Sequence, residues 1–395
     1  MALKNILDGS EKIIKIGFLS KQTSAWMGGV NYYKNLFIAM TRVNNPKLIP
    51  CILQPKDNQA KFLLSHSQII TVRKGLKYSF AKFLTLFTGE KFDKERVLYN
   101  ELNIDLISHS DIFCDKPTVS WLADFQHIHM PEMFDEKELK DRSYGFNKLA
   151  NHSKIVIMSS QDALNDFKNF TPQNSHKGRV LNFVAIPDSN IYKKTDVIKE
   201  KTIVKYKLPE KYFYLPNQFW KHKNHKVVFE AISLLKLQGT NINVIFTGGM
   251  NDYRNAGYFN ELMGFAKDKN IENNIKLLGL IDLPEVYYLM RNCISIINPS
   301  FFEGWSSTVE EAKSLGKNII LSNINVHKEQ NPPGGIYFDP HNSSELAEIL
   351  KSKWEEGKVG PDFELEELAQ EQLENRIIEF GKTYQKYVME ALEML

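Results

Sequence analysis

Short apolar runs alternate along this chain with longer stretches in which apolar residues recur at the period of a helix. The run Ile13–Leu19 predicts a buried strand, and Val30, Tyr33 and Phe37 then share one helical face. Further strands of the first half are predicted over 104–108, 118–122 and 155–158. Strands that alternate with helices in this way favour a parallel sheet covered on both faces.

The same pattern starts again after residue 190. Asn224 is the predicted N-cap of a helix with apolar residues at Val227, Val228, Ala231, Ile232 and Leu235. The predicted strands of this half cover 212–215, 243–247, 275–278, 294–298, 318–322 and 336–338. The charged stretch 193–211 between the halves is typical of a linker or a domain edge.

Two α/β domains in tandem are therefore expected, with bounds 1–190 and 191–375. A final helix, 376–395, is expected to return to the N-terminal domain. Such pairs of domains usually bind a ligand in the cleft between them, at the carboxyl ends of the strands.

Composition narrows the class of protein. Of 395 residues, 43% are apolar and 25% are charged, which excludes a disordered or collagen-like chain. A net charge of +3 is too balanced for nucleic-acid binding over the whole surface. The three cysteines are widely spaced, which fits neither a disulfide framework nor a zinc site. We expect a cytoplasmic protein without signal sequence or transmembrane helix, so any membrane association would be peripheral.

Two motifs of the first half carry candidate chemistry. Gly28 and Gly29 follow the first strand, where they favour either a tight turn or an anion site at the start of the next helix. Asp124 and His127, in DFQHIH after the strand 118–122, can face the expected cleft. The alternative is a polar loop with local hydrogen bonds. His127 and His129 could suggest a metal, but a third ligand is not evident nearby.

The loop PNQFWKHKNH, residues 216–225, joins the first strand and the first helix of the second half. Its two lysines and two histidines form a positive loop beside a helix N-terminus, an arrangement that suits a diphosphate. An exposed basic loop is the alternative, and the position directly after a strand favours the ligand site.

The segment PSFFEGWSSTVEEA, residues 299–312, is the most informative. It places Glu303 in a loop and Glu311 in the first turns of a predicted helix. Carboxylates accept hydrogen bonds from vicinal hydroxyls, so a sugar or ribose is a natural ligand. Capping boxes at Ser307–Glu310 and Thr308–Glu311 would explain the second carboxylate equally well, but they do not explain Glu303.

Glu303 and Glu311 within FFEGWSSTVEEAKSLGK resemble the E-x7-E motif of retaining glycosyltransferases of family four. Further similar segments follow in the family's order: GGVNYYKNLFIAM, DFQHIHMPEMF, LPNQFWKHKNHKVVFEA, IKLLGLIDLPEVYYLMRNC, GKNIILSNINVHKE and YFDPHNSSELAE. The resemblance implies the GT-B fold, in which two Rossmann-like domains face a cleft. The N-terminal domain would bind the acceptor, and the C-terminal domain would bind a nucleotide sugar.

The resemblance also implies roles by position. Glu303 would hold hydroxyls of the transferred sugar, Glu311 the ribose and Lys223 the diphosphate. His127 or Asp124 would contact the transferred sugar or the acceptor, and these two complete the predicted catalytic set with Glu303 and Lys223. The predicted donor-binding residues are Gly28, Gly29, Asn217, Lys221, Gly304, Trp305, Ser306, Ser307, Thr308 and Glu311.

One position departs from the family. Many members carry an arginine six residues before the phosphate lysine, and here that residue is Asn217. Lys221 or His222 would then supply the remaining charge. The chain contains no Asp-x-Asp, so no metal and no cofactor are expected beyond the nucleotide-sugar co-substrate.

The implied function is transfer of a hexose, with retention, to a glycan or lipid-linked acceptor of a bacterial surface polysaccharide such as lipopolysaccharide, O-antigen or capsule. A nucleotide-sugar 2-epimerase of the same fold and a non-catalytic sugar-binding protein are the alternatives. Residues 72–87 mix basic and apolar positions and could form an amphipathic helix on an anionic membrane, or a surface helix packed on the domain.

Overall fold

The structure, a computed structural model, describes residues 12–19, 27–54, 67–71, 102–110, 114–192 and 202–394. They form two compact units. The first unit contains the described residues up to Phe125, Lys137–Phe183 and the chain from Asn375 onward. The second unit contains Gln126–Glu136 and Val184–Glu374. The segment 72–87, proposed above as an amphipathic helix, lies outside the described residues.

The first unit contains a parallel sheet. Its described strands are β1 (Ile13–Leu19), β2 (Lys47–Gln54), β3 (Gln68–Thr71), β4 (Leu106–Ser108), β5 (Thr118–Leu122), β6 (Ile155–Met158) and β7 (Gly178–Val180). They are arranged in the order β3-β2-β1-β4-β5-β6-β7. The strand order reverses between β1 and β4, which makes this the switch point of the sheet. The first described helices along the chain are α1 (Met27–Met40), α2 (Gln126–His129), α3 (Glu136–His152) and α4 (Gln161–Phe170), of which α2 belongs to the second unit.

The second unit contains a second parallel sheet. Its strands are β8 (Phe213–Leu215), β9 (Val244–Phe246), β10 (Ile275–Leu277), β11 (Ile296–Asn298), β12 (Ile319–Ser322) and β13 (Ile336–Phe338), in the order β10-β9-β8-β11-β12-β13. The remaining helices are α5 (His225–Leu237), α6 (Tyr258–Asp268), α7 (Leu283–Asn292), α8 (Ser307–Leu315), α9 (Asn325–Gln330), α10 (Ser343–Glu356) and α11 (Phe363–Glu393). Here the order reverses between β8 and β11.

Apolar side chains cover both faces of the second sheet, as expected for parallel strands. One cluster packs residues of β8 and β9 against α5, α6 and α10, with Phe229, Phe246 and Leu350 fully buried. The other cluster packs Tyr214 and Ile245 against α7 and α8. This packing fixes the strand ends, and with them the loops that follow β8 and β11.

The long helix α11 contributes to both units. Near its start, Glu366 accepts two hydrogen bonds from the Arg291 guanidinium, at 2.5 and 2.8 Å, within the second unit. Near its end, the Tyr384 hydroxyl donates to Ser108 Oγ at 2.8 Å, and the Tyr387 hydroxyl donates to the Val180 carbonyl at 2.7 Å, within the first unit. Among the described residues, none of the helices has both the length and the apolar character needed to cross a membrane.

The predicted strands are confirmed within two residues at their ends, but β2, β3 and β7 were missed. Strand β2 contains Pro50, which normally argues against a strand within a sheet. Strand β3 (QIIT) contains only two apolar residues and β7 (GRV) only one, so neither forms an apolar run that the sequence pattern could mark. One helix start was also wrong: α1 begins at Met27, so Gly28 and Gly29 lie in its first turn instead of a preceding loop. The apolar pattern begins only at Val30 and therefore placed the start too late.

Candidate functional site

The loops that follow β8 and β11 flank the switch point of the second sheet. Ligands of open α/β sheets bind at such a point, beyond the carboxyl ends of the strands. The loop after β8 carries Asn217, Lys221 and Lys223, and the loop after β11 carries Glu303 to Ser306. The chain topology therefore brings the predicted donor-binding residues of the second unit to one edge of its sheet.

Lys223 and Glu303 meet across these two loops. The Lys223 ammonium lies 2.7 Å from Oε1 and 2.8 Å from Oε2 of Glu303, so it bridges both carboxylate oxygens. The two side chains are only 15% and 9% exposed. An ammonium has three N–H donors, so this pairing leaves donor capacity for a further anion. The Glu303 carboxylate likewise keeps lone pairs that can accept hydroxyl groups.

Neighbouring groups stabilise the ionised form of Glu303. Burial alone would raise the pKa of this carboxyl, but Lys223 and the nearby His327 favour the ionised form, and so do the hydrogen bonds from Lys223 and Ser300. The net effect is a pKa below the usual range of glutamate. Ser300 Oγ lies 2.7 Å from Glu303 Oε1. The site thus holds a fixed carboxylate instead of a neutral acid.

Asn217 is part of the scaffold between the two loops. Its Nδ2 donates to Asn298 Oδ1 at 3.1 Å, and its Oδ1 accepts from the Thr308 hydroxyl at 3.3 Å. All three side chains are buried. At the position where the resemblance led us to expect an arginine, this chain therefore has a neutral amide that joins β8, β11 and α8.

Two further hydrogen bonds join the same loops. The Phe301 N–H donates to the His222 carbonyl at 2.8 Å, and Asn224 Nδ2 donates to the Pro299 carbonyl at 3.1 Å. Asn224 occupies the predicted N-cap position of α5 with φ +54°, but its side chain makes no capping bond. It serves instead to connect the loops.

The sequence suggested Lys221 or His222 as the source of further positive charge. Lys221 is exposed. His222 is buried, and burial together with the charges of Lys223 and Arg254 lowers its pKa well below the usual value of histidine. His222 is therefore neutral at physiological pH, and the suggestion that it carries charge is wrong.

The start of α8 differs from the predicted capping boxes. Ser306 is the N-cap, and its Oγ accepts from the Val309 N–H at 3.4 Å. The Glu310 carboxylate accepts from Gln330 Nε2 at 3.1 Å and from Lys313 Nζ at 3.4 Å. Both predicted boxes are therefore wrong, because the helix begins one residue earlier than the first of them requires.

Glu311 is the second candidate carboxylate, and it is buried. Among the residues that the structure describes, none forms a hydrogen bond or an ion pair with its side chain. Burial raises its pKa to about 8, so this carboxyl is largely protonated at neutral pH. A buried carboxyl without such a bond is costly, and carboxyls with pKa values perturbed by burial cluster at functional sites.

The candidates from the first half of the chain are divided between the units. Gly28 and Gly29 lie in the first unit, at the N-terminus of α1. Asp124 also belongs to the first unit, whereas His127, in α2, is buried and belongs to the second. The remaining donor-binding candidates, Gly304, Trp305 and Ser307, lie in the loop after β11 and the first turn of α8.

The sequence analysis did not identify several residues that contribute to this region. Ser300, His327 and Gln330 surround the loop after β11, and Asp252 and Arg254 follow β9. Asp252 and Arg254 lie in the loop that follows a predicted strand, so the rule that selected the other loops could have found them. Within the described ranges, no group of three or more histidine, cysteine or acidic side chains is arranged to hold a metal ion.

Three kinds of likeness to known proteins agree with this arrangement. Residues 198–388 match the family model of glycosyl transferases group 1. The chain is 33% identical over 106 residues to protein CapJ of Staphylococcus aureus, a match covering 27% of this chain and 25% of the relative.

It is also 26% identical over 140 residues to the N,N'-diacetylbacillosaminyl-diphospho-undecaprenol alpha-1,3-N-acetylgalactosaminyltransferase of Campylobacter jejuni subsp. jejuni serotype O:2 (strain ATCC 700819 / NCTC 11168), covering 35% of this chain and 34% of the relative. The matched stretches therefore span about a third or less of these two relatives.

Among solved structures, Anabaena HepE in complex with UDP and glucose is similar with a TM-score of 0.66 and 19% sequence identity, over 95% of this chain and 99% of that one. At this identity the likeness shows the fold alone. The two parallel sheets with flanking helices are those of the GT-B fold, as the family resemblance implied.

Proposed function

Residues 198–388, just under half of the chain, match the family model of glycosyl transferases group 1, and on that premise we propose that this protein is a retaining glycosyltransferase. It would move a hexose-type sugar from a nucleoside-diphosphate sugar to a glycan or lipid-linked acceptor. The observation that carries the proposal is the buried Lys223–Glu303 pair at the switch point of the second sheet.

The chemistry requires a charged group for the leaving diphosphate. When the bond between the anomeric carbon and the diphosphate breaks, negative charge develops on the departing oxygen. Lys223 retains an N–H donor for that oxygen, and the start of α5 lies two residues further on. In the proposed site these groups replace a metal ion, so we expect no metal requirement.

The two carboxylates suit the two hydroxyl-bearing parts of a donor. Glu303 is ionised and fixed by Lys223 and Ser300, and it would accept hydroxyl groups of the transferred sugar. Glu311, whose pKa is about 8, would accept the ribose hydroxyls. A donor that binds the ionised form of Glu311 would displace its proton. Donor binding should therefore release protons near neutral pH.

Relatives support the class of acceptor. One of them is named for an undecaprenol-diphosphate acceptor, and HepE was solved with UDP and glucose. We infer a UDP-linked hexose donor and a polyprenyl-linked or glycan acceptor of a bacterial surface polysaccharide such as lipopolysaccharide or capsule.

A thermal-shift panel tests the donor site. It compares UDP, GDP, ADP, CDP, dTDP and their sugars, each with and without EDTA. A ligand at 100 times its dissociation constant stabilises the folded state by about 2.7 kcal/mol. We expect uridine nucleotides to raise the melting temperature equally with and without EDTA. A shift that EDTA abolishes would refute metal independence, and no shift with any nucleotide would refute the donor site.

Product analysis then separates transfer from the alternatives. Donor consumed only when an acceptor is present supports a transferase. A changed free sugar without acceptor would identify an epimerase. Binding of sugars without any turnover would identify a binding protein.

A further inference from the structure

Segment 126–136 belongs to the second unit, although the chain on both sides of it belongs to the first. It contains α2 with His127, followed by a 3-10 turn, Pro131–Met133. Its contacts within the second unit therefore decide where His127 lies relative to the Lys223–Glu303 pair.

Arg254 supplies contacts to both ends of this segment. Its guanidinium Nη1 donates to Gln126 Oε1 at 3.1 Å, and the guanidinium carbon lies 5.0 Å from the ring centroid of Phe134. The Arg254 side chain is only 5% exposed. One buried cation thus contacts the first residue of the segment and a ring close to its end.

The same guanidinium also contacts the loop after β8. It lies 5.3 Å from the ring centroid of Trp220, which directly precedes the turn that carries Lys223. The Asp252 carboxylate fixes this arrangement. One of its oxygens accepts a hydrogen bond from the backbone N–H of Lys221 and the other from the backbone N–H of Arg254, each at 3.1 Å. The Arg254 Nε lies 3.7 Å from the same carboxylate.

A ring contact also places the segment beside the loop after β11, which carries Glu303. The His129 ring lies against that of Phe302, with 5.3 Å between centroids, and Phe302 directly precedes Glu303. The segment therefore contacts the residue next to Glu303 directly, and Arg254 connects it to Trp220 at the start of the turn that carries Lys223.

We propose that Arg254 is a positioning residue that fixes segment 126–136, and with it His127, against the two loops that carry Lys223 and Glu303. A planar guanidinium suits this task because it can stack on rings while it donates hydrogen bonds at its edge. In the proposed transferase, whose function this inference assumes, the buried His127 would thereby be held beside the reacting sugar. Arg254 would act on the rate of transfer instead of on donor affinity.

The test uses the full chain and the variants Arg254→Ala and Arg254→Lys. The lysine variant keeps a positive charge near Asp252. It lacks the planar guanidinium that stacks on the rings of Phe134 and Trp220 while it donates to Gln126. The control is Arg291→Ala, which removes another buried arginine of the same unit, one paired with Glu366. Amide hydrogen exchange of peptides from 126–136, UDP affinity and steady-state kinetics are measured for each.

Both Arg254 variants should speed exchange in 126–136 about tenfold or more relative to the rest of the second unit, and the control should not. They should lower kcat about ten- to a hundredfold while the Kd for UDP stays within about twofold. In combination with His127→Ala, the loss in kcat from Arg254→Ala should largely disappear, because both changes act through the same group.

Unchanged exchange in 126–136 would overturn the proposal. So would a loss of UDP affinity as large as the loss in kcat, since Arg254 would then bind the donor directly. A wild-type chain that turns over no donor refutes the proposed function, but the exchange measurement still decides the position of the segment.

Discussion

Replacing Glu311 by glutamine should make the ligand-free protein more stable. The buried carboxyl has no hydrogen bond from the described residues, and burial raises its pKa from 4.5 to about 8. At pH 7 the unfolded chain holds this group ionised, whereas the folded chain must protonate it. That costs about 3 kcal/mol, because 2.5 pH units separate pH 7 from the ordinary pKa and each unit is worth about 1.4 kcal/mol. Glutamine is neutral and avoids this cost.

The gain should depend on pH with a definite sign. Because the folded protein binds a proton that the unfolded chain has released, the wild type loses stability as the pH rises from about 5 to about 8. Glutamine does not titrate, so its advantage should be small at pH 5, grow through neutrality and level off above about pH 8. For a domain of this size, 3 kcal/mol corresponds to roughly 6–12 °C in melting temperature.

Thermal melts of both proteins at pH 5, 6, 7, 8 and 9 measure this difference. Glu310→Gln is the control, because it removes a neighbouring buried carboxylate that is paired with Lys313 and Gln330 and should destabilise the protein. A Glu311→Gln variant that is less stable than wild type, or whose advantage does not grow with pH, would refute the reasoning. Calorimetry should also show UDP bound about ten- to a hundredfold more weakly, since the amide cannot replace a carboxylate toward two hydroxyls. Unchanged affinity would contradict the ribose role.

Three other substitutions test the rest of the site. Lys223→Ala should weaken UDP binding about tenfold or more but leave uridine binding nearly unchanged. The control is Lys226→Ala, which removes an exposed lysine. Equal losses in affinity for both ligands would count against a phosphate role of Lys223. Glu303→Gln should lower kcat about a hundredfold or more with little change in UDP affinity, and near-normal turnover would refute its role toward the sugar. Gly248→Ala should destabilise the second unit by about 2 kcal/mol or more in urea unfolding, because a Cβ would lie 2.4 Å from a carbonyl oxygen of the β8 loop and φ is +131°. Gly264→Ala, with open space around it, should be tolerated, and equal losses would contradict this account.

Much of the fold could be predicted from the sequence because its strands are buried on both faces. Continuous apolar runs such as Ile155–Met158 and Ile319–Ser322 mark such strands, and the loops after them follow from the parallel order. The same logic correctly located the loops of Lys223 and Glu303. Their pairing across the switch point could not be predicted, because it depends on the crossover from β10 to β11.

The unpredicted parts depend on long-range contacts. Asn217 is a scaffold residue only because Asn298 and Thr308 are beside it, and no local pattern shows this. His222 loses its charge through burial, which a loop rich in lysine and histidine does not suggest. Segment 126–136 lies within the first half of the sequence, so its assignment to the second unit requires three-dimensional contacts.

The hydrogen bonds between the loops also limit how new specificity can arise. Asn217 joins the β8 loop to Asn298, and Asp252 joins it to the β9 loop through the Lys221 N–H. Since Gly248 leaves no room for a side chain between the β8 and β9 loops, neither can be exchanged alone. A chimera that takes its donor preference from a relative would have to transplant the loops after β8, β9 and β11 as one block. Natural divergence of donor choice in such proteins should then proceed by coordinated changes across all three.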